Sequence, residues 1–308
     1  MKKISIITPT YNEEENIEKL CNDISIEMGK LNYEYEHIVI DNASNDNTVK
    51  ILRKLASNNK KLKIILNAKN FGHIKSPIYA LMQIDTDAGI LMASDFQDPI
   101  DLIPKYIAEW EKGYDVVLGQ KETSDEGFFK DWFKRLFYKF IKMISDDNLM
   151  LNTTGAGIFD KKIISSLKKI DDSYPYFRGL LTEITDNIKL IKFHQPIRKF
   201  GKTKNNLYTL YDIGILGIIK HSKIPLRFMT FVGFITSLFS ILVSLIFFIF
   251  KLLYWNSFDL GVAPLVIGLF GLASIQIFLL GFIGEYVMNI LIQMRKVPLV
   301  IEKERINF

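Results

Sequence analysis

The run Ser5-Ile6-Ile7-Thr8-Pro9-Thr10-Tyr11-Asn12-Glu13 changes from apolar, β-branched residues to polar ones over a short distance. The run His37-Ile38-Val39-Ile40-Asp41-Asn42-Ala43-Ser44 makes the same change. Short β-branched runs bounded by turn residues predict buried strands, and Pro9 is expected to end the first of them. Similar runs predict further strands at residues 62–66, 89–92 and 116–118.

Apolar residues at helical spacing fill the intervals between these strands. We predict helices at residues 13–28, 74–84 and 100–112, and one through Ile51 and Leu55. Alternating strands and helices indicate an α/β domain with a mostly parallel sheet and helices on both faces. Ligands of such sheets bind outside the carboxyl ends of the strands. The polar residues that follow the strands are therefore the candidate site, and they lie at 11–13, 41–44, 67–72 and 95–98.

Two long apolar runs divide the chain, which has 308 residues, 48% of them hydrophobic and 24% charged. Residues 229–250 and 262–284 contain no charged side chain, and each run is long enough for a helix that crosses a bilayer. This pattern excludes a disordered chain and a multi-span channel. It favours a membrane-spanning hairpin over the alternative, a buried helical hairpin of a soluble protein. The single cysteine, Cys21, excludes an internal disulfide and a cysteine-based metal site.

Charge placement predicts the orientation of the expected hairpin. Basic residues lie on both sides of it, at Lys220, Lys223 and Arg227 before it and at Arg295, Lys296, Lys303 and Arg305 after it. Residues 252–294 contain no Lys or Arg. The positive-inside rule therefore places both ends of the hairpin, both termini and the α/β domain in the cytoplasm. The N-terminus has no long apolar segment, so we expect no signal peptide. The net charge of +5 suits a membrane surface or anionic ligands and makes no case for nucleic acid.

The polar cluster at residues 95–98 is the candidate metal site. The oxygen ligands of Asp95 and Gln97 suit Mg²⁺ or Mn²⁺, which also bind substrate phosphates. The alternative is a helix cap, with Asp98 at the N-cap and Pro99 at the first helical position. Asp41 could accept hydrogen bonds from a base or ribose, or it could cap the next helix. The cap is the favoured interpretation for Asp46.

Two basic segments could contact phosphate or lipid. Arg198 and Lys204 flank Gly201, and a guanidinium binds phosphate through paired donors, although a solvated basic patch is the alternative. Residues 128–139 are basic and aromatic, which favours a helix at the lipid surface over a phosphate site. Residues 207–219 are expected to form an interfacial helix that leads into the first span.

Taken in order, these motifs resemble family 2 glycosyltransferases of the branch that acts on polyprenyl phosphates, the relatives of dolichol-phosphate mannose synthase and of bactoprenol glucosyltransferases. The resemblance is carried by the runs at residues 6–17, 41–48, 95–99 and 198–204, by Pro225-Leu226-Arg227 before the hairpin, and by Gly284-Glu285-Tyr286 and Pro298. It implies a GT-A fold and an inverting transfer of a sugar from a nucleotide-sugar, with UDP the expected nucleotide, to undecaprenyl or another polyprenyl phosphate. It further implies a multi-pass protein of the bacterial inner membrane that serves cell-envelope polysaccharide synthesis.

The resemblance also assigns roles to individual residues. Those expected to hold the donor nucleotide are Pro9, Tyr11, Glu13, Asp41 and Ser44. Asp95 and Gln97 would hold Mg²⁺ or Mn²⁺ on the diphosphate, and Arg198 would act with Asp95 in catalysis. The candidates for the acceptor phosphate are Lys121, Arg135, Arg178 and Lys204.

Two positions depart from the family pattern. Ala93 stands where the family usually has an acid, so the metal has one protein carboxylate fewer. Gly155 stands where the family often has the aspartate that is a candidate base. A phosphomonoester is already an anion at neutral pH, so it needs positioning and charge neutralisation more than proton abstraction. Asp160 matches a helix-start acid and is not expected to act as the base.

The expected organisation has five parts. They are a nucleotide-sugar half at 1–120, an acceptor half at 121–206, a juxtamembrane segment at 207–227, the hairpin at 228–291 and a cytoplasmic tail at 292–308. The tail could pair with a neighbouring subunit or lie on the membrane, and glycines in the spans would allow a homo-oligomer. Two other functions stay open at this point. They are a transferase that extends an already glycosylated lipid, and a catalytically inactive scaffold subunit.

Overall fold

The computed structural model describes residues 1–122, 153–172, 175–196, 224–254 and 262–308. Within these ranges the α/β part has an eight-stranded sheet in the order β7-β5-β6-β4-β1-β2-β3-β8. The strands are β1 (Lys3–Thr10), β2 (Glu34–Asp41), β3 (Leu62–Asn67), β4 (Ala88–Leu91), β5 (Val116–Lys121), β6 (Thr153–Asp160), β7 (Ile188–Phe193) and β8 (Glu302–Ile306). The five strands predicted from the sequence correspond to β1–β5. The central strands β4, β1, β2 and β3 are parallel, as is the β5–β7 pair, whereas β6 and β8 pair antiparallel to their neighbours. The prediction of a mostly parallel α/β sheet is confirmed.

Helices cover both faces of the sheet. They are α1 (Ile17–Gly29), α2 (Thr48–Asn58), α3 (Gly72–Met82), α4 (Leu102–Glu111), α5 (Lys161–Lys169) and α6 (Phe177–Ile184). One core cluster joins the sheet to α1, α2 and α4, and a second joins its other face to α3, α5 and α6. Successive strand residues alternate between the two, because Ile6 belongs to the first cluster and Ile7 to the second. Because the strands are buried on both faces, their sequences are continuous apolar runs.

Pro9 does not end β1, so that prediction was wrong. Met92 N donates to Ile7 O and Asn42 N donates to Thr10 O, so alternate residues of β1 face β4 and β2. Pro9 therefore faces the β4 side, where the pairing with β4 stops at Ile7 opposite Leu91. Because β4 offers no hydrogen-bond partner at this position, the sheet loses no hydrogen bond through the missing N–H of Pro9.

The C-terminal tail is part of the sheet. β8 pairs antiparallel with β3, with Ile306 opposite Ile64 and Glu302 opposite Asn67. The expectation that the tail pairs with a neighbouring subunit or lies on the membrane was wrong for these residues. The physical reason is that β3 would otherwise expose a row of unpaired backbone groups at the sheet edge.

Two long apolar helices, α7 (Ile224–Leu253) and α8 (Val262–Met294), lie between the α/β part and the tail. Many of their large side chains are exposed, including Phe231, Phe239 and Phe278. Within the described part of the chain one segment, Gly271–Met294, is long and apolar enough to cross a membrane, and the apolar segment Leu226–Ser240 is shorter. The two-helix hairpin therefore stays a prediction. The expectations for residues 128–139, 198–204 and 207–219, including Arg135, Arg198 and Lys204, lie outside the described residues.

Candidate active site

The loops after β1 and β2 are joined directly at the carboxyl end of the sheet. Asn12 N donates to Ser44 Oγ at 2.8 Å, and Asn45 N donates to Asn12 Oδ1 at 2.8 Å. The structure thus brings Ser44 and Asp41 beside the segment that contains Pro9, Tyr11 and Glu13, as the strand-end rule predicts.

The starts of α1 and α2 hold the same two loops together. Glu13 N donates to Thr48 Oγ1 at 2.9 Å, and Asn47 N donates to Glu14 Oε2 at 2.9 Å. Asp46 Oδ1 accepts from Thr48 N at 3.0 Å and so satisfies the first amide of α2, as predicted for a capping acid, although the N-cap residue itself is Asn47. Glu13 is only 8% exposed, and its carboxylate accepts from Asn16 Nδ2 at 2.7 Å. Glu13 thus belongs to the framework of the loop, and its expected contact with a nucleotide stays a prediction.

Asp41 is buried at the end of β2, with 1% of its surface exposed. Its Oδ2 accepts from Ser44 N at 2.9 Å, and its Oδ1 accepts from the Ser44 hydroxyl. Burial raises the pKa of the Asp41 carboxyl, and the hydrogen bonds from Ser44 only partly offset this effect. The Ser44 contacts fix the direction of the carboxylate, whose remaining lone pairs could accept from a base or a ribose.

Backbone strain is concentrated in these loops. Asn12, Ala43 and Phe96 have φ values of 54°, 61° and 58°, the left-handed region that residues with a side chain rarely adopt. The three residues follow β1, β2 and β4 at the same edge of the sheet. Such strain costs about 1–3 kcal/mol per residue and is typical of ligand-binding loops.

Asp95 and Gln97 lie on the loop after β4, and both side chains are partly buried. Gln97 N donates to Asp95 Oδ1 at 3.1 Å, and the Phe96 ring between them lies 5.1 Å from Lys19 Nζ of α1. No group of three or more acidic, histidine or cysteine side chains able to hold a metal ion occurs among the residues that the structure describes. A carboxylate and a carbonyl fit Mg²⁺ or Mn²⁺ only when the remaining ligands come from water and substrate phosphates.

The interpretation of Asp98 as a helix cap was wrong. Helix α4 begins at Leu102, and its N-cap residue is Asp101. Asp98 lies three positions earlier and is 4% exposed. It points into the protein near Tyr106, since burial and then the Asp98 charge raise the pKa of the Tyr106 hydroxyl. Pro99 O accepts from Leu102 N at 3.1 Å, so a turn separates Asp98 from the helix.

The two described candidates for the acceptor phosphate lie in different places. Lys121 is the last residue of β5, and β5 runs in the same direction as β4 because each pairs antiparallel with β6. Lys121 therefore lies at the same edge of the sheet as Asp95. Arg178 is not brought to this edge. Its neighbour Phe177 packs on Phe159, with ring centroids 5.3 Å apart. Phe159 pairs with the first half of β4 and of β5, so Phe177 lies towards the amino ends of these strands, away from Asp95.

Gly155 lies in an irregular part of β6. Leu118 pairs with Gly157 and Gln120 pairs with Thr153, so β6 carries extra residues between the two pairs. Gly155 itself has a φ of 84°, in the left-handed region that favours glycine. A bulge thus occupies the position of the family's candidate base. Asp160 caps α5, because its Oδ1 accepts from Lys162 N at 2.9 Å, which confirms its expected structural role.

Sequence reasoning assigned no role to Asn12 or Asn42, although both lie inside the quoted motifs. Asn12 joins two loops, and the Asn42 side chain joins the end of β2 to the loop after β3. The available signal was an amide directly after a strand, at a position where the chain must turn.

Comparisons with known proteins agree with this architecture. The family model "Glycosyl transferase family 2" matches residues 5–168. An uncharacterized glycosyltransferase of Synechocystis sp. is 28% identical over 96% of this chain and 93% of its own length. The SfII prophage-derived bactoprenol glucosyl transferase of Shigella flexneri is 27% identical over 98% of both chains.

A solved structure has a similar fold. It is glucosyl-3-phosphoglycerate synthase from Mycobacterium tuberculosis in complex with Mn²⁺, UDP-glucose and phosphoglyceric acid. The match has a TM-score of 0.51 and 17% identity, and it covers 71% of this chain and 78% of the synthase. At this identity the likeness establishes a GT-A-like fold alone. Because the family model covers more than half of the sequence, this chain belongs to glycosyl transferase family 2.

Proposed function

We propose that this glycosyltransferase moves a sugar from a nucleotide-sugar, UDP-linked in our expectation, to a polyprenyl phosphate at the cytoplasmic face of a bacterial inner membrane. The observation that carries the proposal is the match to a bactoprenol glucosyl transferase over 98% of both chains, because it includes the apolar helices and the tail as well as the sheet. The polar loops at the carboxyl end of the sheet support a donor site there.

The donor nucleoside contacts the loops after β1 and β2. Asp41 and Ser44 form a fixed polar pair. The Asp41 carboxylate accepts hydrogen bonds from the base or the ribose. Pro9 and Tyr11 line the same region by their place at the end of β1. Because these loops are tied together before any ligand arrives, binding costs little conformational entropy.

The loop after β4 provides the groups that neutralise the negative charge of the diphosphate. Asp95 and Gln97 would hold a divalent cation there, and the cation would neutralise charge that develops on the leaving diphosphate. Arg198 is expected to assist, and Lys121, Arg135 and Lys204 to contact the acceptor phosphate.

The reaction needs no strong base. An oxygen of the lipid phosphate attacks the anomeric carbon from the face opposite the nucleotide. The bond from that carbon to the diphosphate oxygen breaks, and the configuration inverts. The phosphate is already ionised at neutral pH, so the glycine at position 155 removes no essential proton acceptor.

The test uses the full chain in lipid vesicles with undecaprenyl phosphate, Mg²⁺ and a panel of UDP-, GDP- and TDP-sugars. We expect Asp95→Asn to reduce transfer by about a hundredfold or more, as loss of a charge-stabilising group does. Asp101→Asn is the matched control, because Asp101 lies six positions further on with its carboxylate exposed and paired to Lys105. Full activity of Asp95→Asn would contradict the assignment of the metal site.

The acceptor distinguishes the remaining alternatives. Transfer to a glycosylated lipid but not to undecaprenyl phosphate would identify an extending transferase. An inactive scaffold, which Ala93 and Gly155 favour, would neither transfer nor hydrolyse any donor in the panel.

A further inference from the structure

The side chain of Asn42 is the centre of a hydrogen-bond network at the carboxyl end of β2. Its Nδ2 donates to Asn70 Oδ1 at 2.8 Å and to Gly72 O at 3.2 Å. Its Oδ1 accepts from Phe71 N at 2.9 Å and from Asn67 Nδ2 at 3.0 Å. Both donor hydrogens and both lone pairs of the carboxamide are therefore used.

The Asn42–Asn67–Ser76 part of the network is shielded from water, whereas Asn70 lies at its exposed end. Asn42 is 6% exposed and Asn67 is 3% exposed. Asn67 Nδ2 also donates to Ser76 Oγ of α3 at 3.1 Å, and Ser76 is 1% exposed. Hydrogen bonds shielded in this way rigidify the groups they join, because breaking one leaves a buried polar atom unsatisfied.

The backbone of Asn42 lies within the proposed donor site. Asn42 N donates to Thr10 O at 2.9 Å, which ties it to the end of β1. Asp41 precedes it, and the strained Ala43 and then Ser44 follow it. Fixing the Asn42 side chain against the loop after β3 therefore fixes the direction in which the chain presents Asp41 and Ser44.

We propose that Asn42 is a positioning residue for the donor nucleotide. Its carboxamide locks the loop at residues 67–72 against the end of β2, so that Asp41 and Ser44 are held ready for the nucleoside. This inference rests on the proposed donor site. It further requires an amide at position 42, since Asn70 Oδ1 and Gly72 O are both acceptors and a carboxylate would face them with no hydrogen to donate.

Asn42→Asp tests this requirement with almost no change in shape. At neutral pH the new carboxylate repels the two acceptors. Burial, the two acceptor oxygens and the neighbouring Asp41 all raise the pKa of a carboxyl group at this position, so at lower pH it takes up a proton and regains one donor, and the variant should recover. Asn42→Ala cannot recover, because it has no group to protonate. Titratable groups lie on every element around position 42, and they are Asp41 and Asp46 of the β2 end, Tyr11 and Glu13 after β1, Lys69, His73, Lys75 and Tyr79 of the β3 loop and α3, and Glu302 of β8. The unsubstituted protein and both variants contain all of them, so their titration is common to the comparison.

The first measurement is hydrogen exchange on the ligand-free full chain, which does not depend on the proposed reaction. For both variants at pH 7.5 we expect amides at 68–72 and 41–45 to exchange about tenfold faster than in the unsubstituted protein, the effect of losing one shielded hydrogen bond. Amides of β4 should not change. Asn58→Asp, an exposed asparagine at the end of α2, is the control and should leave all these amides unchanged.

The second measurement is the affinity for UDP and for GDP, each with Mg²⁺, at pH 7.5 and 5.5. Both variants should bind about tenfold more weakly at pH 7.5. At pH 5.5 the Asn42→Asp protein should regain affinity relative to the unsubstituted protein at that pH, and Asn42→Ala should not.

Unchanged exchange in both variants would overturn the inference, whatever the nucleotide affinities are. Faster exchange with unchanged affinity would also overturn it, because the network would then be structural only. If the unsubstituted protein bound neither nucleotide, the proposed donor site would fail, and with it the positioning role.

Discussion

At the scale of single residues, Gly155 suits the backbone that it occupies. Its φ of 84° lies in the left-handed region, which costs a residue with a side chain about 1–2 kcal/mol, so this bulge of β6 favours glycine over aspartate. For Asp41 the sequence left two roles open, a contact with a base or ribose and a cap of the next helix. The structure shows its carboxylate turned back onto Ser44, and it does not cap α2, whose first amide is met by Asp46.

We expect Gly155→Ala to lower the free energy of unfolding by about 1–2 kcal/mol, because alanine pays for a left-handed backbone angle. Thermal unfolding in detergent measures this change. Gly29→Ala is the control. Neither position has a heavy atom within 4 Å of an added Cβ, but only Gly155 has a positive φ. Equal stability of the two variants would show that the angle at 155 is unimportant.

At the scale of elements, the amino ends of β1, β2 and β3 share one buried carboxylate. Glu36 is 6% exposed, and its oxygens lie 2.7 Å from Lys3 Nζ, 3.0 Å from Lys63 Nζ and 2.8 Å from Ser5 Oγ. Burial acts to raise the pKa of Glu36, but the hydrogen bonds from Lys3, Ser5 and Lys63 outweigh it and hold the pKa below its usual value. These contacts join three neighbouring strands at the end of the sheet that faces away from the candidate site.

A lowered pKa in the folded state means that Glu36 stabilises the fold at neutral pH. This contribution is lost as the pH falls through the lowered pKa. We therefore expect Glu36→Gln to destabilise the protein by about 1–2 kcal/mol at pH 7 and by progressively less below about pH 4. Unfolding of Glu34→Gln, the exposed glutamate at the start of the same strand, is the comparison and should match the unsubstituted protein at every pH.

β8 is the second element whose role can be tested. Arg53 pairs with both oxygens of Glu304, and Asn307 Nδ2 donates to Ala56 O at 2.8 Å and Leu62 O at 2.9 Å. Ala68 N donates to Ile301 O at 2.9 Å, next to the loop that Asn42 holds. The tail thus joins the end of α8 to α2, to β3 and to the loop after β3.

A chain that ends at Val300 should expose the edge of β3 and self-associate, since an unpaired edge strand is a template for other chains. We expect larger particles in size-exclusion chromatography and faster hydrogen exchange at residues 62–67. Lys303→Ala, on the exposed face of β8, should behave like the full chain. A truncated protein that stays monodisperse with protected β3 amides would refute the edge-covering role.

At the scale of the whole molecule, the buried cysteine makes membrane orientation measurable. Cys21 is 7% exposed, and burial raises the pKa of its thiol to about 12, so it forms little reactive thiolate. A cysteine introduced elsewhere is then the one that reacts with a membrane-impermeant maleimide.

We expect Ser257→Cys, between the two apolar runs, to react in intact cells because the positive-inside rule places this loop outside. Ser57→Cys, exposed on α2, should react only after the membrane is permeabilised. Labelling of Ser57→Cys in intact cells would reverse the predicted orientation, and failure of Ser257→Cys to react would contradict the hairpin.

The sequence by itself determined the α/β class, the five parallel strands β1–β5 and the polar loops of the candidate site. It could do so because periodicity and turn residues are local signals, and because parallel strands carry their loops to one edge. Tertiary structure alone decided that Pro9 continues its strand, that Asp98 is buried and caps no helix, and that the tail completes the sheet. It also decided that Asn42 joins two loops. Each of these outcomes depends on which residues distant in the chain become neighbours, and no local pattern encodes that pairing.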